Sequence, residues 1–194
     1  MAAAELIESD LTTKARIRGA ALELFAAEGV SAVSMRAVAA RAGVAVGLVQ
    51  HHFKTKEGLR SAVEQYIVDR HAAAIESVPD SGSASAVAAG RDAAVRRMFD
   101  ENPAIVDYMR RSLLDPGDDN HLLERLTSLA RQQVVGQRST GSASTAHSIP
   151  DQVVRLMVRQ LGHLFLQPMV DAMWEQLDGP EGKQPALVVH TSAG

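Results

Sequence analysis

The chain of 194 residues contains no cysteine, which excludes a disulfide framework and any thiolate chemistry. It has no run of about 18 uninterrupted apolar residues, so a membrane-spanning helix is not expected. The opening residues MAAAELIESD carry acids and no base, which does not read as a secretory signal; a cytoplasmic protein is the simplest expectation. No alternating pattern is long enough to build a sheet, and the short apolar run Ala186–Val189 stands isolated. Motifs of catalysis are missing as well. There is no G-x-S-x-G, Walker A or H-E-x-x-H sequence, and no glutamate has a histidine three residues on, as a carboxylate-bridged metal bundle needs. The chain is therefore not expected to be an enzyme, an all-α enzyme being kept as an alternative.

With 46% hydrophobic and 22% charged residues, the composition is that of a globular protein able to bury a core. The length allows one domain, or a small domain fused to a larger one. The formal net charge of −3 hides an asymmetry. Residues 11–60 hold eight Lys/Arg against three Asp/Glu, whereas residues 61–194 hold twelve against seventeen. A basic module attached to an acidic one is the charge layout of a nucleic-acid-binding head on a body with another task.

The apolar positions recur at helical spacing. Thr12 or Thr13 can cap a first helix whose face is Ile17, Ala21, Leu24 and Phe25, with Gly29 suited to its end. Ser34 can cap a second helix from Met35 to about Ala42, and Gly43 ends it. A third helix runs from Ala45 to about His52, and Thr55 can cap a fourth reaching about Ser77. After the Pro/Gly/Ser-rich stretch SVPDSGSAS, helical segments are expected at about 86–100, 103–114 and 119–136. The polar stretch 136–149 reads as a flexible loop. A strongly apolar region follows at about 150–177, where Pro168 predicts a kink or a boundary. Residues 1–11 and 179–194 read as disordered tails.

Helices two and three carry the most specific signal. Two helices crossing steeply need a small residue at the contact, a residue free to take positive φ in the turn, and an apolar plug from the second helix. Ala39, Gly43 and Val49 supply these in the pattern Ala-x3-Gly-x5-Val, with Val38 and Val44 completing the apolar set. This is the spacing of a helix-turn-helix. Taken with ALELFAAEGV before it, VSMRAVAARAGVAVGLVQHHF at its centre and KTKEGL after it, the segment resembles the DNA-binding domain of the TetR family of transcriptional regulators. The resemblance covers about a quarter of the chain. It implies an all-α protein: a three-helix N-terminal head over 12–58, joined through helix 4 to an all-helical ligand-binding and dimerisation body over 59–178. It also implies a cytoplasmic homodimer acting as a repressor, released from a palindromic operator on double-stranded DNA by a small-molecule effector. A DNA-binding regulator without a ligand is the alternative. No cofactor is implied.

With Val49 facing inward, the third helix turns Ala45, Val46, Gly47, Gln50 and His51 outward, Leu48 being ambiguous. Gln50 can pair with adenine, His51 with guanine or a phosphate, and Val46 can touch a thymine methyl. Gly47 belongs to the same base-contact set. Arg36 matches a family position where helix 2 leans toward the groove, which makes it the candidate for a bidentate guanine contact. Ser34 and Lys56, at helix N-termini, are phosphate candidates, as are Lys54 and Lys14, with Arg16 beside them. The family usually places an aromatic where this chain has Gln50, so direct readout is thin and DNA shape contributes. Phe53 matches an aromatic plug. The neighbours His51 and His52 point about 100° apart on a helix and chelate poorly, so no metal is expected.

In the body, residues 150–177 are apolar on most faces and call for burial on two sides. The resemblance implies that the last two major helices, here about 150–166 and 168–177, are the dimer elements, with Leu156, Leu164, Met169, Met173 and Trp174 as interface candidates. Met98, Phe99, Tyr108, Met109, Met157, His163 and Phe165 are candidates to line a ligand pocket. Arg110 and Arg111 read as a solvated pair.

Overall fold

In the computed structural model the described residues are 2–114, 121–141 and 145–178, together with 180, 185, 187 and 189, with side chains from residue 11 onward. Among them are eight α-helices and no strand. They are α1 (Ala2–Glu28), α2 (Met35–Ala42), α3 (Val46–Phe53), α4 (Lys56–Glu76), α5 (Ala84–Asp100), α6 (Pro103–Leu114), α7 (His121–Ser139) and α8 (Ile149–Gln176).

The local chemistry explains most boundaries. Gly29, at φ +86°, ends α1. Ser34 caps α2, its Oγ accepting from the Ala37 N–H at 3.1 Å. Gly43 ends α2 at φ +65°; its N–H donates to the Ala40 carbonyl and the Val44 N–H to the Ala39 carbonyl, the paired bonds of a Schellman motif. A Cβ at position 43 would meet no heavy atom within 4 Å, so the cost of a side chain there lies in the backbone alone. Gly43→Ala is expected to lower the unfolding free energy by roughly 1–2 kcal/mol, and Gly43→Asn by less, because asparagine tolerates the left-handed region. Urea unfolding of the two variants checks this. Gly58 answers a different demand: a Cβ there would lie 2.2 Å from the Phe53 carbonyl oxygen. The chain doubles back so tightly between α3 and α4 that only glycine fits.

Three expectations of helix extent change. Helix α1 starts at Ala2 rather than at Thr12 or Thr13, so the segment read as a disordered tail is helical; its alanines, leucines and glutamates favour helix and no glycine or proline interrupts them before Gly19. Helix α7 continues through Gly136 to Ser139, past the expected start of the loop; the Ser139 and Thr140 hydroxyls donate back to the Gly136 carbonyl. Helix α8 is one element through Pro168, not two. Pro168 is exposed, on the side where solvent can serve a backbone group that loses its partner.

The chain forms two compact units. The first contains residues 1–70 and 101–122, the second 71–100 and 123–194. The head is thus larger than the 12–58 expected, because α6 belongs to it. In this unit α1 packs on α2, α3 and α6, around a core that includes Ile17, Phe25, Val38, Val49, Phe53, Leu59, Val63, Ile105 and Met109. Leu24, expected on the buried face of α1, is only half-buried. One polar cluster sits within this core. Glu64 is 1% exposed; its Oε1 accepts from Arg60 Nε at 2.8 Å and from the Tyr108 hydroxyl at 3.1 Å. Burial, and then the negative Glu64 beside it, push the Tyr108 phenol well above its ordinary pKa, so it stays protonated as a donor.

The second unit is built from the end of α4 with α5, α7 and α8. Val95, Met98, Phe99, Leu126, Ala130, Val134, Val153 and Leu164 are buried in it. Ser148 caps α8 through the Asp151 N–H at 3.2 Å. Arg159 pairs with Asp92 at 2.7 Å, tying α8 to α5. The expected tail 179–194 lies mostly outside the described residues. Those that are described lie along α8: Trp174 Nε1 donates to the Pro180 carbonyl at 3.2 Å, and the Gln167 amide bonds the Pro185 carbonyl and the Leu187 N–H. The strand-like run at 186–189 cannot be followed, since 186 and 188 are outside that set.

Candidate nucleic-acid interface

The interface is built on α2, the turn from Gly43 to Ala45, and α3. Val38, Ala39 and Ala42 of α2 and Val49 and Phe53 of α3 are buried. That anchoring fixes which way α3 faces. Ala45, Val46, Gly47, Gln50 and His51 are exposed, as the register of Val49 requires. Leu48, ambiguous from periodicity, is also exposed, at 36%. Helix α3 has no side-chain cap: Ala45 precedes it in extended conformation, so its first N–H groups have no hydroxyl or carboxylate acceptor at the cap position. Such an end suits a phosphate oxygen.

Arg36 lies in the first turn of α2 and is exposed, with no ion pair among the described residues. Arg41 differs. It is held by Glu23 of α1 through Nε at 2.9 Å, so its charge is locally matched. The phosphate candidates have individual settings. Ser34 Oγ already accepts the capping bond, which leaves its hydroxyl hydrogen to donate. Lys54 is exposed at φ +63°, its N–H donating to the Gln50 carbonyl at 2.9 Å where α3 ends. Lys14 Nζ stands 6.0 Å from the centroid of the Phe53 ring. Lys56 is half-buried and its Nζ donates to the Ser31 carbonyl at 2.8 Å; an ammonium has two further donors to offer.

Comparison with known proteins follows this geometry. The family described as bacterial regulatory proteins, tetR family, matches residues 17–63, from the buried face of α1 into α4. Over residues 17–63 the chain is thus similar to the tetR family's regulatory proteins. The HTH-type transcriptional regulatory protein RaaS of Mycobacterium tuberculosis is 49% identical over 61 residues, a match covering 31% of this chain and 28% of RaaS. The chain therefore matches less than a third of that relative's length. A tetR-family protein from Shewanella sp. PV-4 shares the fold with a TM-score of 0.64 at 22% identity, over 86% of this chain and 90% of that one. The TetR-family regulator PfmR from Thermus thermophilus does so with 0.59 at 20% identity, over 86% and 96%.

In this first unit, two features escape the sequence. Arg111 is exposed, as expected, but its guanidinium is engaged. Its Nε donates to the Ala26 carbonyl at 3.2 Å and a terminal nitrogen to the Ala27 carbonyl at 2.9 Å, so a side chain of α6 satisfies the C-terminal carbonyls of α1. The partners are 84 and 85 residues apart, and no local pattern could announce them. The second feature is a cleft of about 340 Å³ lined by Gly29, Ser31, Lys56, Arg60, Tyr108 and Arg111 among others. Tyr108 and Met109, expected to line a pocket in the body, both belong to the first unit, where Met109 is fully buried.

The remaining pocket candidates lie in the second unit. Met98 and Phe99 are buried there, while Met157, His163 and Phe165 are half-buried. Of the dimer candidates, Met169 and Met173 are exposed at 56% and 46%. Leu156 and Trp174 are half-buried. Leu164 is buried with Val153 and Gln160 on the inner side of α8, so it is a core residue and not available to a partner.

Proposed function

We propose that the chain is a sequence-specific, dimeric DNA-binding repressor that a small-molecule effector releases from a palindromic operator. The observation that supports this most is the exposed set on α3, Val46, Gly47, Leu48, Gln50 and His51, standing on a buried Val49 with Arg36 exposed on α2. Arg36, Gln50 and His51 supply polar base contacts, Val46 and Leu48 apolar ones, and the excess of basic residues over 11–60 supplies attraction to phosphate. One head offers few specific contacts, and two heads on a two-fold axis multiply them. The exposed apolar residues Leu166, Met169, Met173 and Leu177 of α8 and its end provide a surface for that pairing. Release requires an effector with differential affinity for two states of the body, roughly 10⁴-fold for a nearly complete switch.

The test is selection of purified full-length protein against a pool of genomic fragments at near-physiological salt. One enriched palindrome bound by two chains is the expected result. Recovery of fragments with no common sequence would overturn sequence-specific binding. On the selected site, Lys56→Ala is expected to weaken specific and random DNA alike and to reduce the salt slope by about 0.9 for each head. An unchanged slope in a fluorescence anisotropy titration would remove Lys56 from the interface and leave it the bond to Ser31.

A further inference from the structure

The second unit holds a buried histidine that the fold does not use up. His71 is 5% exposed. Its Nε2 lies 3.0 Å from Oε1 of Gln160, itself 8% exposed. With an oxygen facing it, Nε2 carries the proton, so Nδ1 is the lone-pair nitrogen. Nδ1 is buried and has no hydrogen-bond partner among the described residues. The ring is further fixed edge-on against Phe99, with centroids 5.9 Å apart. Burial lowers the histidine pKa, partly opposed by the Gln160 bond, so the imidazole is neutral. A neutral, oriented, unpaired acceptor in an apolar interior is costly unless something donates to it.

The surroundings say what that donor can be. His71 and Gln160 line a small chamber with Leu126, Met157 and Leu161, about 10 Å³ in volume, room for no more than about one water. Beside it lies an outer cleft of about 350 Å³, bordered by Ile75, Val78 and Arg91. Leu129 and Gln133 line both spaces. They stand one turn apart on α7 and are half-buried, so they form the partition. Rotation of these two flexible side chains would join chamber and cleft into one site of ligand size. Arg91 at the rim is paired with Asp80 and Glu76 borders the same cleft, so the cleft offers no unmatched cation to an anionic ligand.

We infer that chamber and cleft together are the effector site, with His71 Nδ1 as the orienting acceptor. The ligand class is a neutral, largely apolar molecule that presents one hydroxyl or N–H donor. The inference rests on the ligand-responsive reading above and deepens it by naming site and chemistry. Entry displaces Leu129 and Gln133, which is how occupancy is felt along α7.

The experiment uses the full chain with 4-propylphenol as probe and 4-propylanisole, which has no donor, as its match. Calorimetric titration is expected to show the phenol binding about tenfold tighter than the anisole, the worth of one hydrogen bond. His71→Phe, which keeps a ring against Phe99, is expected to bind the two equally. Should that variant fold poorly, the wild type still decides: in protein labelled with ¹⁵N-histidine, one unprotonated ring nitrogen is expected to shift with the phenol and not with the anisole. Equal affinities on the wild type, an unmoved resonance, or no phenol binding up to its solubility limit would each overturn the site. Operator affinity is measured in parallel. His71-dependent binding that leaves operator affinity unchanged overturns the effector role. A protein that selects no operator in the absence of probe fails the repressor reading instead, and the two failures are told apart.

Discussion

Arg60→Ala is expected to lower the unfolding free energy by about 3–5 kcal/mol, far more than an ordinary helical ion pair would imply. A surface pair at i,i+4 contributes only a few tenths of a kcal/mol, and the order found here, arginine before glutamate, is the poorer one. An arginine near a helix N-terminus also opposes the macrodipole. Burial changes the scale. Glu64 is 1% exposed and the Arg60 side chain 11%, so truncating the arginine removes the charge that balances a carboxylate held out of water. Tyr108→Phe, which removes the 3.1 Å bond to Glu64, is expected to cost less, about 1–3 kcal/mol. The triple variant Arg60→Met/Glu64→Leu/Tyr108→Phe is expected to return close to wild-type stability or above it, since neither a charge nor the Tyr108 hydroxyl is then left buried without a partner. Denaturant unfolding of the four proteins supplies the measurement. A loss below about 1 kcal/mol for Arg60→Ala would show that the pair behaves as a surface pair and that the burial argument fails.

Arg36→Ala carries the largest expected effect on function. A bidentate arginine–guanine contact gives about 1–3 kcal/mol of discrimination. On the proposed dimeric reading, with one such contact per head and two heads per operator, the expected loss on the selected site is about 2–6 kcal/mol, roughly 30-fold to more than 10⁴-fold in affinity. Random DNA is expected to lose much less, since only a charge near the phosphates is removed. Arg36→Lys keeps the charge but not the planar fork, so it is expected to recover the random-DNA affinity and little of the specificity. Competition titrations with selected and random duplexes separate these outcomes. Equal losses on both would make Arg36 a phosphate contact and pass specificity to Gln50, His51 and DNA shape.

The parts of this molecule that were legible in the sequence are those fixed within a few residues. Ser34 is a cap because a hydroxyl stands three residues before Ala37, and Gly43 ends α2 because the turn needs a left-handed residue. Val49 sets the outward face of α3 by register alone. Boundaries that depend on weak preferences were less legible. Helix α1 begins ten residues before its expected cap, and α8 passes Pro168 without a break. In both cases a long favourable helix outweighs one local signal.

By itself, then, the sequence determined the all-helical class, the helix-turn-helix and the residues it turns outward, because helical periodicity, caps and the Ala39–Gly43–Val49 spacing are properties of neighbouring residues. Tertiary structure alone decided that α6 belongs with the head, that Arg111 closes α1, that Arg60, Glu64 and Tyr108 meet in its core, and that His71 faces Gln160 across 89 positions. Those pairings depend on which faces are buried together, and a side chain's charge, tautomer or unpaired atom acquires its energetic meaning only once its surroundings exclude water.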